Sequence, residues 1–129
     1  MMTNGKQKPT EKELEILQVL WNKGSCTVRE VYESVHTKSK TGYTTTLKFM
    51  QIMHEKGFVS RVKEGKTHIY KAEVSEINTQ EHLYNKLLNS VFKGSAASLI
   101  MHALGNSKTS KSDLERIQEY IDNLDKENE

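Results

Sequence analysis

Apolar residues recur at helical intervals over most of the chain and at strand intervals in one short stretch. Leu14, Leu17, Leu20 and Trp21 form the first helical run, spaced three and four apart. Thr10 and Glu13 open it with capping-box spacing, Pro9 stands just ahead, and Gly24 closes it. Thr27 and Glu30 repeat the capping-box spacing and open a short second helix with Val28, Val31 and Val35 on its apolar face. HTKSKTG, residues 36–42, then reads as a polar connector.

The third helix runs from Thr41 or Tyr43 to Lys56 and is stopped by Gly57. On a helical wheel Tyr43, Thr46, Leu47, Met50, Met53 and His54 share one side. Thr41, Thr44, Thr45, Lys48 and Glu55 fall on the other, alongside Ile52. The first side is the expected core, Tyr43 included, and Trp21 is the expected core anchor of the first helix. FVSRVK and THIYKA then read as two strands of β-branched and aromatic residues, with the glycine of a tight hairpin in EGK between them.

From Ser75 onward the pattern is helical. Tyr84, Leu87, Leu88 and Val91 mark one helix, broken near Lys93 and Gly94, and SAASLIMHAL is a short, nearly all-apolar helix closed by Gly105. In the last helix Leu114, Ile117, Ile121 and Leu124 make a narrow 3-4-3 seam, more like a partner-facing stripe than a core face. So short a set of helices buries little by itself, and a dimer is the economical answer. The expected fold is therefore mainly α with a small β-hairpin. Residues 1–74 form a winged helix-turn-helix, and residues 75–129 form a three-helix dimerisation region.

Charge sharpens this picture. The net charge of +2 divides into +5 over residues 1–74 and −3 over residues 75–129, and residues 36–71 carry 8 basic against 2 acidic side chains. A local excess of that size favours a polyanion, although it also suits a solvated lysine-rich face. Three helices followed by a hairpin resolve the choice, because a helix-turn-helix places the start of its recognition helix against base edges in the major groove. Thr44 and Thr45 then bring hydroxyls to phosphates or bases, and a threonine methyl can touch the methyl of thymine. Lys48 reaches phosphate or guanine, and Tyr43 touches backbone at the helix start. Thr10, Thr27 and Arg29 present helix starts or charge to phosphates. Lys63 and Lys66 track the backbone from the wing, with Arg61 and His68 beside them.

Other chemistries find little support. The chain has no Gly-rich phosphate loop, nucleophile elbow or carboxylate–histidine constellation, so an enzyme is not expected. His36, His54, His68, His82 and His102 lack the paired spacing of a metal site, and no cofactor is expected. Cys26, the single cysteine, excludes an intramolecular disulfide and reads as a small buried thiol. No window holds the roughly 18 apolar residues of a membrane span, and MMTNGKQKPTEKE lacks the apolar stretch of a leader. A cytoplasmic protein without membrane insertion is expected.

Several stretches together resemble the BlaI/MecI penicillinase repressors and the related copper-responsive repressors. They are PTEKELEILQVLWNKG, TVREVYESV, GYTTTLKFMQIMHEKGFVSR, THIYKAEVS and VFKGSAASLIMHAL. In order and spacing they cover about residues 9 to 125. The resemblance implies a homodimeric transcriptional repressor that binds a dyad-symmetric operator on double-stranded DNA. In some members a membrane sensor triggers proteolysis inside the dimerisation region, and the family's targets are β-lactam resistance and cell-wall response genes. Well-known members are cut between Asn and Phe; the corresponding pair here is His102-Ala103, and the chain contains no Asn-Phe dipeptide. The cysteine-x-cysteine element of the copper-responsive relatives is also missing. Two alternatives stay open: a metal- or effector-sensing repressor on the same scaffold, and a winged-helix module that binds proteins.

Overall fold

Two capping boxes set the first two helices. In the computed structural model, which describes residues 8–128, Thr10 Oγ1 accepts the Glu13 N–H at 3.2 Å and Glu13 Oε1 accepts the Thr10 N–H at 2.9 Å. Residues 1–7, part of the stretch read above as lacking a leader, lie outside the described residues, as does Glu129. Helix α1 spans Glu11–Lys23 and ends at Gly24, whose N–H returns to the Leu20 carbonyl. Thr27 and Glu30 make the same reciprocal pair at the start of α2, Val28–Ser39. Helix α3 spans Tyr43–Lys56, and Gly57 terminates it at φ 84°, a left-handed conformation that glycine adopts without penalty.

The chain divides into two compact units after Gln80. In the first, strand β1 (Cys26–Thr27) pairs with β3 (Thr67–Ala72), which pairs in turn with β2 (Val59–Glu64), all antiparallel. The β2–β3 connection is two residues long, with Gly65 at φ 62° supplying the positive angle. Leu17, Leu20, Val31, Met50, Met53, Phe58 and Tyr70 fill the core between the three helices and the inner face of the sheet. Thr46 is buried among them without loss, because its hydroxyl donates to the Gly42 carbonyl at 2.9 Å. The result is a winged helix-turn-helix.

Several expectations need correction. Helix α2 continues through residues 36–39, read above as connector, and Lys40 caps it in the left-handed region at φ 58°. Ser39 Oγ donates to the Val35 carbonyl and His36 packs on Tyr32, so the polar stretch has local partners in helical form. Strand β1 was not expected; two residues carry no strand period, and only pairing with β3 defines them. Tyr43 is not core but 39% exposed. Trp21 is half-buried at the core's edge, where its indole N–H donates to the Val74 carbonyl at 2.9 Å. Gly105 lies inside its helix rather than closing it.

The remaining helices are α4 (Glu76–Ser90), α5 (Ala96–Asn106) and α6 (Lys111–Glu127). Lys93 and Gly94, both at positive φ, separate α4 from α5. Ser95 and Ser110 cap α5 and α6 through their side chains. None of these three helices contains a buried residue. Tyr84, Leu87, Val91, Ile100, Met101 and Leu104 are exposed, as are Leu114, Ile121 and Leu124 of the seam, while Ile117 is half-buried. No helix among the described residues is long and apolar enough to cross a membrane.

Candidate nucleic-acid interface

The outer face of α3 is set by which residues the core takes. Thr46, Met50 and Met53 are consumed inside, with Leu47 and Phe49 packed against the same core. Thr44, Thr45, Lys48, Gln51, Ile52 and Glu55 are left on the surface. Among the described residues no hydrogen bond or ion pair engages the side chains of Thr44, Thr45 or Lys48.

The start of this helix differs from those of α1 and α2. Gly42 is its N-cap and offers no side chain, so no side-chain hydrogen bond meets the first-turn N–H groups. The first turn of α3 also lacks an acidic residue. At α1 and α2, by contrast, Glu13 and Glu30 answer the helix dipole. The hydroxyl oxygens of Thr10 and Thr27 are already acceptors in their capping boxes. Each keeps an O–H to give, beside a carboxylate that repels phosphate.

Arg29 and Tyr43 meet between the starts of α2 and α3. The guanidinium carbon lies 5.0 Å from the centroid of Tyr43 and 5.7 Å from that of Tyr32. The two tyrosine rings stand edge to face at 5.6 Å, and Tyr32 continues to His36 at 5.1 Å. This packing explains why Tyr43 is at the surface: its partner is a cation, not the core. His36 Nδ1–H donates to the Thr41 carbonyl at 3.2 Å, and the Thr41 hydroxyl meets Ser39 Oγ at 2.9 Å and Lys12 Nζ at 3.5 Å. These bonds hold the α2–α3 turn, and with it the first turn of α3.

The hairpin adds a second cationic element. Lys63 and His68 are cross-strand partners, two residues out along the hairpin from the pair Arg61 and Tyr70. Arg61 Nη1 donates to the Tyr70 hydroxyl at 3.2 Å, while Lys63 and Lys66 are exposed. Arg29, Lys48, Lys63 and Lys66 form no ion pair among the described residues. Lys56 does, donating to Glu13 Oε2 at 2.9 Å and tying the end of α3 to the start of α1. Cys26 is buried at 2% exposure, and burial, reinforced by Glu30 and opposed by Lys23, pushes its thiol up from the usual range.

Sequence reasoning placed Arg29 and Tyr43 in the site but missed the stack that joins them. It also missed Tyr32, His36 and the Lys56–Glu13 pair. The spacing of Arg29, Tyr32 and His36, three and four apart on one helix, was the available signal. Of the remaining expected residues, His102 and Ala103 are exposed in the interior of α5, where His102 packs edge to face on Phe92 at 5.7 Å. Among the described residues no group of three or more His, Cys, Asp or Glu side chains is placed to hold a metal ion.

The penicillinase repressor family model matches residues 9–123. The chain belongs to this family. The methicillin resistance regulatory protein MecI of Staphylococcus aureus (strain N315) is 21% identical over 120 residues, covering 93% of this chain and 98% of MecI. The penicillinase repressor of Bacillus licheniformis is 24% identical over 114 residues, or 88% of each chain. The solution structure of the DNA-binding domain of the repressor BlaI is similar at a TM-score of 0.50 and 26% identity. That similarity covers 55% of this chain and 89% of the BlaI domain.

Proposed function

We propose that this member of the penicillinase repressor family is a homodimeric cytoplasmic repressor that reads a dyad-symmetric DNA operator. The observation that carries the reading is the outer face of α3, where Thr44, Thr45 and Lys48 stand exposed, without a side-chain partner among the described residues, behind a helix start that no side chain caps. Thr44 and Thr45 contact base edges or phosphates, and Lys48 contacts phosphate or guanine. The free N–H groups at the start of α3 donate to a phosphate oxygen, with Arg29, held by Tyr43, beside them. Lys63 and Lys66 follow the backbone from the wing. Thr10 and Thr27 offer only their hydroxyl protons and rank below these groups.

Helices α4–α6 are assigned to dimerisation, with Leu114, Ile117, Ile121 and Leu124 as the seam. The two recognition helices then meet successive major grooves, roughly 34–36 Å apart, with the wings on the flanking backbone. The regulated genes are those of β-lactam resistance or cell-wall response. Release follows cleavage in α5 near His102-Ala103, prompted by a membrane sensor; that bond is helical, so α5 must open locally before a protease can take it.

Selection of bound duplexes from a random library by the purified protein tests the reading, at about 0.15 M salt, where screening suppresses non-specific binding. A dyad-symmetric consensus is the expected result. A folded, dimeric preparation that enriches no sequence overturns it.

A further inference from the structure

Five of the six exposed residues on the outer face of α3 are polar, and the sixth is Ile52. Thr45, Lys48 and Ile52 follow one another at i, i+3 and i+7, which aligns them in a single stripe. Ile52 is 37% exposed and is not among the residues packed against the core, and its open surface lies within a row of hydroxyl, ammonium and amide groups. Solvent gains nothing from that placement, and an aqueous helix face favours a polar residue there.

We infer that Ile52 is a specificity-determining residue that recognises the 5-methyl group of a thymine in the major groove. The inference rests on the proposed reading of α3 as the recognition helix. In the major groove thymine alone among the bases presents a methyl group, and an apolar side chain contacts it favourably. Ile52 has no donor or acceptor with which to read any other base, and it repels none by charge. From Thr45 to Ile52 the helix rises about 10 Å. At 3.4 Å per base pair that spans about three steps of the duplex. Each half-site therefore carries an Ile52-dependent thymine at most about three base pairs from the position read by Thr45.

The experiment is a uracil scan of the selected duplex. Replacing a thymine by uracil removes the methyl group and leaves the hydrogen-bonding edge unchanged. The full-length protein and its Ile52→Ala variant are titrated against each single-uracil duplex. At one thymine per half-site the native protein loses about fourfold in affinity, the worth of one buried methyl-sized group. Ile52→Ala binds the unmodified duplex correspondingly less well and loses nothing further on that uracil. Circular dichroism and affinity for random duplexes verify the fold of the variant. Should alanine reduce helix content, Ile52→Val carries the same comparison with a smaller coupling. Uracil penalties equal in the native protein and the variant at every position overturn the inference and leave the proposed function standing. Failure to enrich any sequence in the first place overturns both.

Discussion

Lys56 Nζ reaches Glu13 Oε2 at 2.9 Å, and the other oxygen of the same carboxylate receives the Thr10 N–H at 2.9 Å. One buried side chain thus closes the start of α1 and pins the end of α3. Helix α3 is held at its far end by this pair and at its near end by the contacts around Thr41. Glu13→Ala removes a cap and leaves an ammonium without its anion. It should cost about 2–3 kcal/mol of stability in urea denaturation, and Glu13→Gln, which keeps the capping geometry, should cost less. Lys56→Met leaves a carboxylate buried without its cation, so its loss should exceed that of Glu13→Gln.

Cys26 gives a prediction in pH. Its thiol is raised by burial, so the folded protein resists forming the thiolate that the unfolded chain forms readily. The stabilisation is complete below the ordinary thiol range and is lost as pH rises through the higher folded value. Native protein should therefore react with a thiol-specific disulfide reagent far more slowly than protein in denaturant at pH 8. Stability measured by urea should decline above about pH 9 in the native protein, and more steeply than in Cys26→Ala.

The division between phosphate and base contacts is separable by salt and by sequence. Lys66→Ala should weaken binding to operator and random duplexes alike and reduce the slope of log affinity against log salt by about one. Thr45→Ala should cost about 1 kcal/mol or more on the selected operator, with little change on random DNA or in the salt slope. Binding isotherms at four or five salt concentrations distinguish the two patterns. Equal losses by both variants on both kinds of duplex would refute the division.

The seam on α6 is the fourth target. Ile117→Asp together with Ile121→Asp should yield monomers in sedimentation equilibrium and greatly reduce operator affinity, because each half-site then binds by itself. A dimer that persists would relocate the interface to another apolar face, with α5 the first candidate.

Much of this architecture is legible in the sequence because its signals are local. Thr10 with Glu13 and Thr27 with Glu30 place both helix starts within four residues of chain. Gly24, Gly57 and Gly65 mark stops and a turn by their backbone freedom alone. Most of what escaped depended on distant partners. Tyr43 has the wheel position of a core residue, and only the packing of α2 beside it shows a guanidinium in place of an aliphatic neighbour. The Lys56–Glu13 pair joins residues 43 positions apart, which no periodicity reports. Strand β1 exists only because β3 runs beside it, and the polar residues closing α2 hid a helix end whose partners lie one turn back.

The absence of any buried residue in α4–α6 bears on how the protein responds to its own abundance. Helices with no interior of their own draw their stability from whatever covers them, by mass action. In the proposed dimer that cover is a second copy, so order in the C-terminal unit rises with protein concentration. Occupancy of the operator then grows more steeply than the amount of protein. Near the concentration at which two copies pair, removing a fraction of the molecules releases the DNA more fully than that fraction alone would suggest.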